Sequence, residues 1–337
     1  MSQSCDKHDK KVVHILNKVG VIDARKLTQT LQGSIWKASL VSTNGDNDSD
    51  APKAVAVKVT DRYLQEHGLA RIGDQTYCVQ EDIVYEAKLL QSVTASKQCP
   101  DSIVKFHRFF ATKTDYYLIM EDGGSSLFDF VVKAHRFIRA GTIGLSHWKQ
   151  MVKRISKQMV ECVEYLHAHN ICHHDISLEN FLINDVAVES FVKDDKEYIE
   201  FIVDDVQIKL CDFGLAEQFA DSNKQCLCSK WVGKTNYKSP EVVAKKTNFS
   251  AKKNDIWCLG MCLFMLSVGS APWNAADPSD HVYVHMTNGS MKQLLKSWNV
   301  PRFVHTELLD LFSGIFQCEG KRIGLDAIKM HAFFLHE

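Results

Sequence analysis

The sequence predicts an α+β chain of two lobes, and three observations carry that expectation. Its 337 residues exceed the roughly 150 that one core usually organises. Apolar residues alternate strictly in parts of the first half, whereas in the second half they recur every three or four positions. A small-residue break, Gly123-Gly124-Ser125-Ser126, falls between the two styles. The expected division is an N-terminal extension over 1–20, a β-rich lobe with one long helix over 21–122 and a mainly helical lobe over 123–337.

Composition narrows the function classes. With 45% hydrophobic and 24% charged residues, the chain reads as globular rather than disordered or fibrous. Lys plus Arg number 40 against 41 Asp plus Glu, so no overall basic footprint for nucleic acid or anionic membrane exists. The 11 cysteines are odd in number and scattered, and Met1 to Lys11 is polar where a secretory leader would be apolar. Free thiols in a reducing compartment are therefore expected. The longest strongly apolar run, Ile256 to Leu266, is well short of the ~20 residues of a membrane span. Ser2 stands where myristoylation needs glycine, and Phe-Leu-His-Glu is no prenylation signal. A soluble, cytoplasmic protein is expected, with the nucleus left open.

The elements follow in order. Asn44 to Pro52 is a polar, turn-rich loop. Ala54 to Thr60 alternates with period 2, placing Val55, Val57 and Val59 on one face and Ala56, Lys58 and Thr60 on the other. An extra helical segment is expected around Gln65 to Gln75, and Glu81 to Val93 has helical spacing through Ile83, Ala87 and Leu90. Ile103 to Ala111 and Asp115 to Glu121 are strands. A long amphipathic helix begins at Ser146, its expected N-cap, and carries Trp148, Val152, Ile155, Met159, Val163 and Leu166. Asn184 to Val206 reads as an inserted hairpin turning at Asp194-Asp195-Lys196. Asp255 to Val268 is apolar nearly all round, hence a core helix.

The motifs lie on these elements. Val55-Ala56-Val57-Lys58 sits on the first strand; His173-His174-Asp175-Ile176-Ser177-Leu178-Glu179-Asn180 follows the long helix; Cys211-Asp212-Phe213-Gly214, Ser239-Pro240-Glu241 and Asp255-Ile256-Trp257-Cys258-Leu259-Gly260 come after. Each alone is a weak match, but their joint order is a strong one. From about Val21 to Phe334 the chain resembles the eukaryotic protein kinase family, serine/threonine type. The resemblance implies the two-lobed kinase fold and ATP- and Mg2+-dependent phosphorylation of protein hydroxyls, with no regulatory partner identified. Such chemistry is mainly positioning and charge neutralisation around a polyanion.

By that resemblance Lys58 reaches the phosphates and Glu86 anchors it, with Glu81 the competitor. Asp175 is the catalytic carboxylate, and Asn180 and Asp212 offer hard oxygens to Mg2+. Gly33 is the surviving phosphate-loop glycine. Ile35, Ala56 and Leu182 enclose the adenine, Met120 is the gatekeeper and Glu121 to Gly123 the hinge. Phe213, His173 and Leu90 form one hydrophobic stack, and Arg322 pairs with Glu241.

The departures are as informative. The first two phosphate-loop glycines are Thr28 and Thr30, which should weaken backbone approach to phosphates. The arginine before the catalytic aspartate is His174, expected to couple activity to pH near 6.5. The family's lysine two residues after that aspartate is Ser177, while Lys234 stands where a loop threonine is usual. The ammonium of Lys234 is expected to enter the vacated space from the opposite side. Finally, His167, His169, Cys172, His173 and His174 have a metal-like density, but no second ligand pair stands at a recognisable spacing and Cys226-x-Cys228 lies far downstream.

Overall fold

The computed structural model describes residues 2–41, 51–72, 75–193, 196–299, 304 and 306–335. They form two compact units, Met1–Lys97 with Val104–Gly123, and Gln98–Ile103 with Gly124–Glu337.

The first unit is an antiparallel sheet of five strands in the order β1-β2-β3-β7-β6. These are β1 (Val21–Gln29), β2 (Gly33–Leu40), β3 (Lys53–Asp61), β6 (Phe106–Ala111) and β7 (Asp115–Glu121). The period-2 pattern of β3 has the expected result. Val55, Val57 and Val59 are buried with Trp36, Tyr117 and Ile119 on one face. That face is covered by helix α1 (Ser2–Lys18), whose Val12 and Leu16 are fully buried in the same cluster. The residues read from sequence as an extension thus supply part of this unit's core. Polar contacts fix the helix further: Lys11 Nζ donates to Thr114 Oγ1 at 2.8 Å, and Lys26 pairs with Asp9 at 3.1 Å.

After β3, helix α2 (Arg62–Glu66) is short and is followed by a hairpin, β4 (Leu69–Ile72) with β5 (Gln75–Cys78). This corrects the expected helix over Gln65 to Gln75. Gly68 adopts φ 61°, a left-handed turn that ends the helix and releases the chain into strands. Helix α3 (Ile83–Ala95) starts where Asp82 caps the backbone N–H groups of Val84 and Tyr85. The polar loop expected from Asn44 lies, up to Asp50, outside the described residues.

The second unit is mainly helical. After β8 (Ser125–Ser126), helices α4 (Leu127–Arg139) and α5 (Leu145–Ala168) lead to β9 (Ile171–Cys172) and β10 (Phe181–Ile183). Ser146 is not the N-cap of α5. Gly144 occupies that position in extended conformation, and its carbonyl accepts from Trp148 N, so Ser146 lies inside the first turn. The inserted hairpin is present as β11 (Val188–Lys193) and β12 (Lys196–Phe201), with Lys193 opposite Lys196. It leaves and rejoins between β10 and β13 (Ile208–Leu210), which pair directly, so the insertion does not part them. Downstream come β14 (Glu217–Gln218), β15 (Leu227–Cys228), helix α6 (Pro240–Val243), β16 (Phe249–Ser250) and helix α7 (Ala251–Val268). Helix α7 is buried along nearly its whole length, as its all-round apolarity requires. Among the described residues, no helix is long and apolar enough to cross a membrane.

Candidate active site

In the first unit, strand register assembles one group of candidates. Ile35 lies opposite Lys58 on β2 and β3, and Ala56 opposite Met120 on β3 and β7. These four share the face turned away from the α1 cluster, because β3 alternates and its valines are committed to that cluster. Lys58 Nζ donates to Glu86 Oε2 at 2.9 Å, and Glu81 Oε2 lies at 3.9 Å. Glu86 is 1% exposed in α3, whereas Glu81 is about one-third exposed, so the buried carboxylate is the firmer anchor. Glu121 N donates to Lys105 O, and Asp122 pairs with Lys37 at 2.6 Å, just before Gly123 closes the unit. Leu90 is buried in α3.

The phosphate-loop positions form the turn between β1 and β2. Thr28 pairs with Ile35 across the ladder, and Thr30 N donates to Gly33 O at 2.7 Å. A Cβ on Gly33 would lie 1.9 Å from Val59 O, so this glycine is required by the close approach of β3. The turn is also held from outside by the β4–β5 hairpin. Gln32 Nε2 donates to Leu69 O at 2.7 Å, and Arg71 N donates to Leu31 O at 3.2 Å.

The second unit holds the other group. Asp175 Oδ2 accepts from Lys234 Nζ and from Asn180 Nδ2, each at 2.7 Å, while Oδ1 accepts from Lys234 N at 3.1 Å. Lys234 Nζ also reaches Ser177 Oγ at 3.0 Å and Asn180 Oδ1 at 3.2 Å. One ammonium therefore touches three catalytic-loop side chains. Burial works against the charged form of Lys234, but the Asp175 carboxylate outweighs it and raises the pKa. Gly233, at φ 91°, allows this approach: a Cβ there would lie 2.7 Å from His174 O. Cys211 N donates to Asn180 O at 2.9 Å, which places Asp212 one residue beyond the position opposite Asn180, and Asp212 takes a left-handed φ of 63°. Leu182 sits half-buried on β10 between Ser126 and Lys209. Phe213 is fully buried, edge-on to His173 with ring centroids 5.1 Å apart.

The pH role expected of His174 does not survive. His174 is 1% exposed, and burial pushes its pKa down to about 4, so it is neutral from pH 6 to 8. Arg322 and Glu241 form a buried two-pronged pair at 2.6 and 3.0 Å, with the guanidinium 4.8 Å from the Trp257 ring centre.

The protein kinase domain family matches residues 47–334 of this chain. The chain is a member of the protein kinase family. Among curated proteins, the kinase is 29% identical over 238 residues to serine/threonine-protein kinase SRK2A of Physcomitrium patens, covering 69% of this chain and 58% of the relative. SRK2F of Arabidopsis thaliana matches at the same identity and coverage. Serine/threonine-protein kinase PLK4 of Drosophila sechellia is 26% identical over 331 residues, 97% of this chain and 33% of the relative. The kinase thus spans less than two thirds of the length of these relatives.

Sequence reasoning left the role of Asp255 unassigned. Its two oxygens accept from the backbone N–H groups of His173 and His174 at 2.9 and 3.0 Å, clamping the catalytic loop of the kinase to α7. A single carboxylate in an otherwise apolar core helix was the available signal, since a buried charge needs dedicated partners. Gln32 and Gly233 were also missed. Gln32 acts through a side-chain bond to a distant backbone carbonyl and Gly233 through close backbone approach, and neither leaves a periodic trace in sequence.

Proposed function

We propose that this kinase transfers the γ-phosphoryl group of ATP, with Mg2+, to serine or threonine hydroxyls of proteins. The observation that carries this reading is the ammonium of Lys234 bound at once to Asp175, Ser177 and Asn180. A catalytic-loop cation is thereby supplied from a new position in the chain. The donor sets suit the implied groups. Lys58, fixed by Glu86, presents a positive charge for phosphate oxygens. Asn180 and Asp212 are hard oxygen donors of the kind Mg2+ prefers, and Asn180 Oδ1 keeps a second lone pair beside its bond from Lys234. When bound, MgATP supplies the transferable phosphoryl group and neutralises part of its own charge.

The chain's own groups then have separable tasks. Asp175 Oδ2 is saturated by two donors, whereas Oδ1 carries a single bond and retains a lone pair. The acceptor hydroxyl donates to Oδ1, which orients its oxygen and takes its proton. Lys234 holds positive charge next to that oxygen, where negative charge develops during transfer. Ile35, Ala56 and Met120 offer an apolar face for a purine, and Lys58 lies on that same face. Protein substrates, ATP and a cytoplasmic setting belong to this reading.

A scaffold with weak or no transfer is the second reading, favoured by Thr28 and Thr30 in the phosphate loop. A single-turnover assay with labelled ATP and a basic acceptor protein separates the two. Transfer by wild type that falls by about 10² to 10⁴ in Asp175→Asn supports the kinase reading. Equal label in both proteins, or none in either, overturns it.

A further inference from the structure

Fold geometry changes the standing of the cysteine- and histidine-rich run. Among the described residues, one set of three metal-capable side chains converges: His167, Cys172 and Asp255, all buried, with donor atoms within 4.8 Å of one another. His167 Nε2 and Asp255 Oδ2 are 3.1 Å apart. The missing fourth donor comes from the downstream pair. Cys226 is fully buried and packs in one small cluster with Cys172 and Ala251. No sequence spacing announces this, because Cys226 reaches Cys172 only when the segment after Phe213 folds back along β9.

We propose that His167, Cys172, Cys226 and Asp255 form a site for a thiophilic divalent cation of the zinc class. Two sulfurs, one imidazole nitrogen and one carboxylate oxygen are a set that Zn2+ accepts in tetrahedral geometry. With bonds of about 2.0 to 2.3 Å, the edges of such a tetrahedron are about 3.3 to 3.8 Å. The His167–Asp255 separation is already close to that value and Cys172 must close by about 1.3 Å at most, whereas Cys226 lies outside the set converging within 4.8 Å and must turn its side chain further to complete the tetrahedron. Asp255 Oδ2 can keep the N–H of His173 on one lone pair and bind the cation with the other.

Three further features point to the same site. Cys226 holds a left-handed φ of 49°, a strained conformation for a residue with a Cβ, and does so while buried in the cluster that contains Cys172. Two thiolates, one carboxylate and a dication sum to −1, and Lys252, whose ammonium acts on both thiols, supplies the balancing charge. His167 also lines a cavity of about 750 Å3 with Gln225, Lys252 and Ile256, which gives the ion an approach and the ring Nδ1–H a polar neighbourhood. Binding releases the two thiol protons and moves the His167 proton from Nε2 to Nδ1. The bound ion would tie the end of α5, the start of the catalytic loop, the activation segment and α7 to one point.

The test uses the purified full chain and metal alone. Elemental analysis after exposure to Zn2+ and removal of excess should find about one zinc per chain, falling at least tenfold in Cys226→Ser, as loss of a ligand implies. Cys318→Ser, an exposed cysteine elsewhere, should keep the metal. Titration with Co2+ should give the visible and near-ultraviolet bands of tetrahedral cobalt with thiolate ligands in wild type and not in Cys226→Ser. A folded wild-type chain that takes up neither metal overturns the site. So does peptide mapping that finds Cys172 and Cys226 joined as a disulfide under the same reducing conditions. None of these measurements needs phosphoryl transfer, so their failure is distinct from failure of the kinase reading.

Discussion

The catalytic loop and the phosphate loop both depart from their family's pattern, and the structure meets the two departures in different ways. In the catalytic loop Ser177 stands where the resemblance implies a lysine, and Lys234 brings an ammonium from another segment to 3.0 Å from Ser177 Oγ. In the phosphate loop two glycines are lost and nothing restores their freedom. Instead the turn is tied to an added hairpin through Gln32 and Leu31. The difference follows from what each residue supplied. A charge can be delivered from any segment that reaches the spot, but backbone freedom belongs to its own position and can only be traded for restraint.

The largest effect tests the first half of that contrast. Lys234→Thr should lower the catalytic rate by roughly 10² or more, the loss seen when one preorganised stabilising donor is removed. Adding Ser177→Lys should recover much of it. Rates measured around the double-mutant cycle report the coupling, and simple additivity would break the idea of a relocated charge.

Next comes His174, where the catalytic loop accepted a titratable residue but buried it. Its folded pKa of about 4 lies below the ordinary imidazole value near 6.5. The unfolded chain therefore binds the extra proton between those values. Stability is full above about pH 6.5 and declines as pH falls toward 4, by on the order of 3 kcal/mol. Melting temperature should drop over that window less steeply in His174→Gln than in wild type. From pH 6 to 8 the rate profiles of the two should superimpose.

Two smaller effects sharpen the phosphate-loop side. Gly33→Ala should cost about 1 to 3 kcal/mol, because β3 must shift to admit a Cβ, and a thermal melt would show it. Gln32→Ala removes one tether worth about 1 kcal/mol. Amide exchange at Arg71, bonded to Leu31 O, should then speed up about fivefold if the hairpin and turn open together. Unchanged exchange would mean that the hairpin merely leans on the loop.

Much of this architecture could be read from the sequence, for reasons visible in particular residues. Strand β3 was legible because one face buries valines while the other carries Lys58, and α7 because no polar stripe interrupts it. The inserted hairpin was legible from its charged tip between apolar stretches. What escaped depended on single backbone features. Gly68 turned an expected helix into a hairpin, and Gly144 displaced Ser146 from the cap. For the site, the individual side chains were legible from motif order. The junctions between segments were not: Asp255 under the catalytic loop, Gln32 on the hairpin and Cys226 against Cys172 each join residues whose spacing carries no pattern.

Helix α1 has a consequence for how the protein is made. Its Val12 and Leu16 share a core with Tyr117 and Ile119, which are translated about 100 residues later. At ordinary elongation rates that interval is on the order of 5 to 20 s. During it the mostly polar 17-residue helix has only β1 to β3 to receive Val12 and Leu16, and the part of their core made by Tyr117 and Ile119 is missing. The sheet can close only after β7 slots between β3 and β6, so α1 docks as a late step of biosynthesis despite its early place in the chain. Nascent chains halted before Tyr117 should therefore carry α1 undocked and open to protease, whereas chains released beyond Glu121 should shield it.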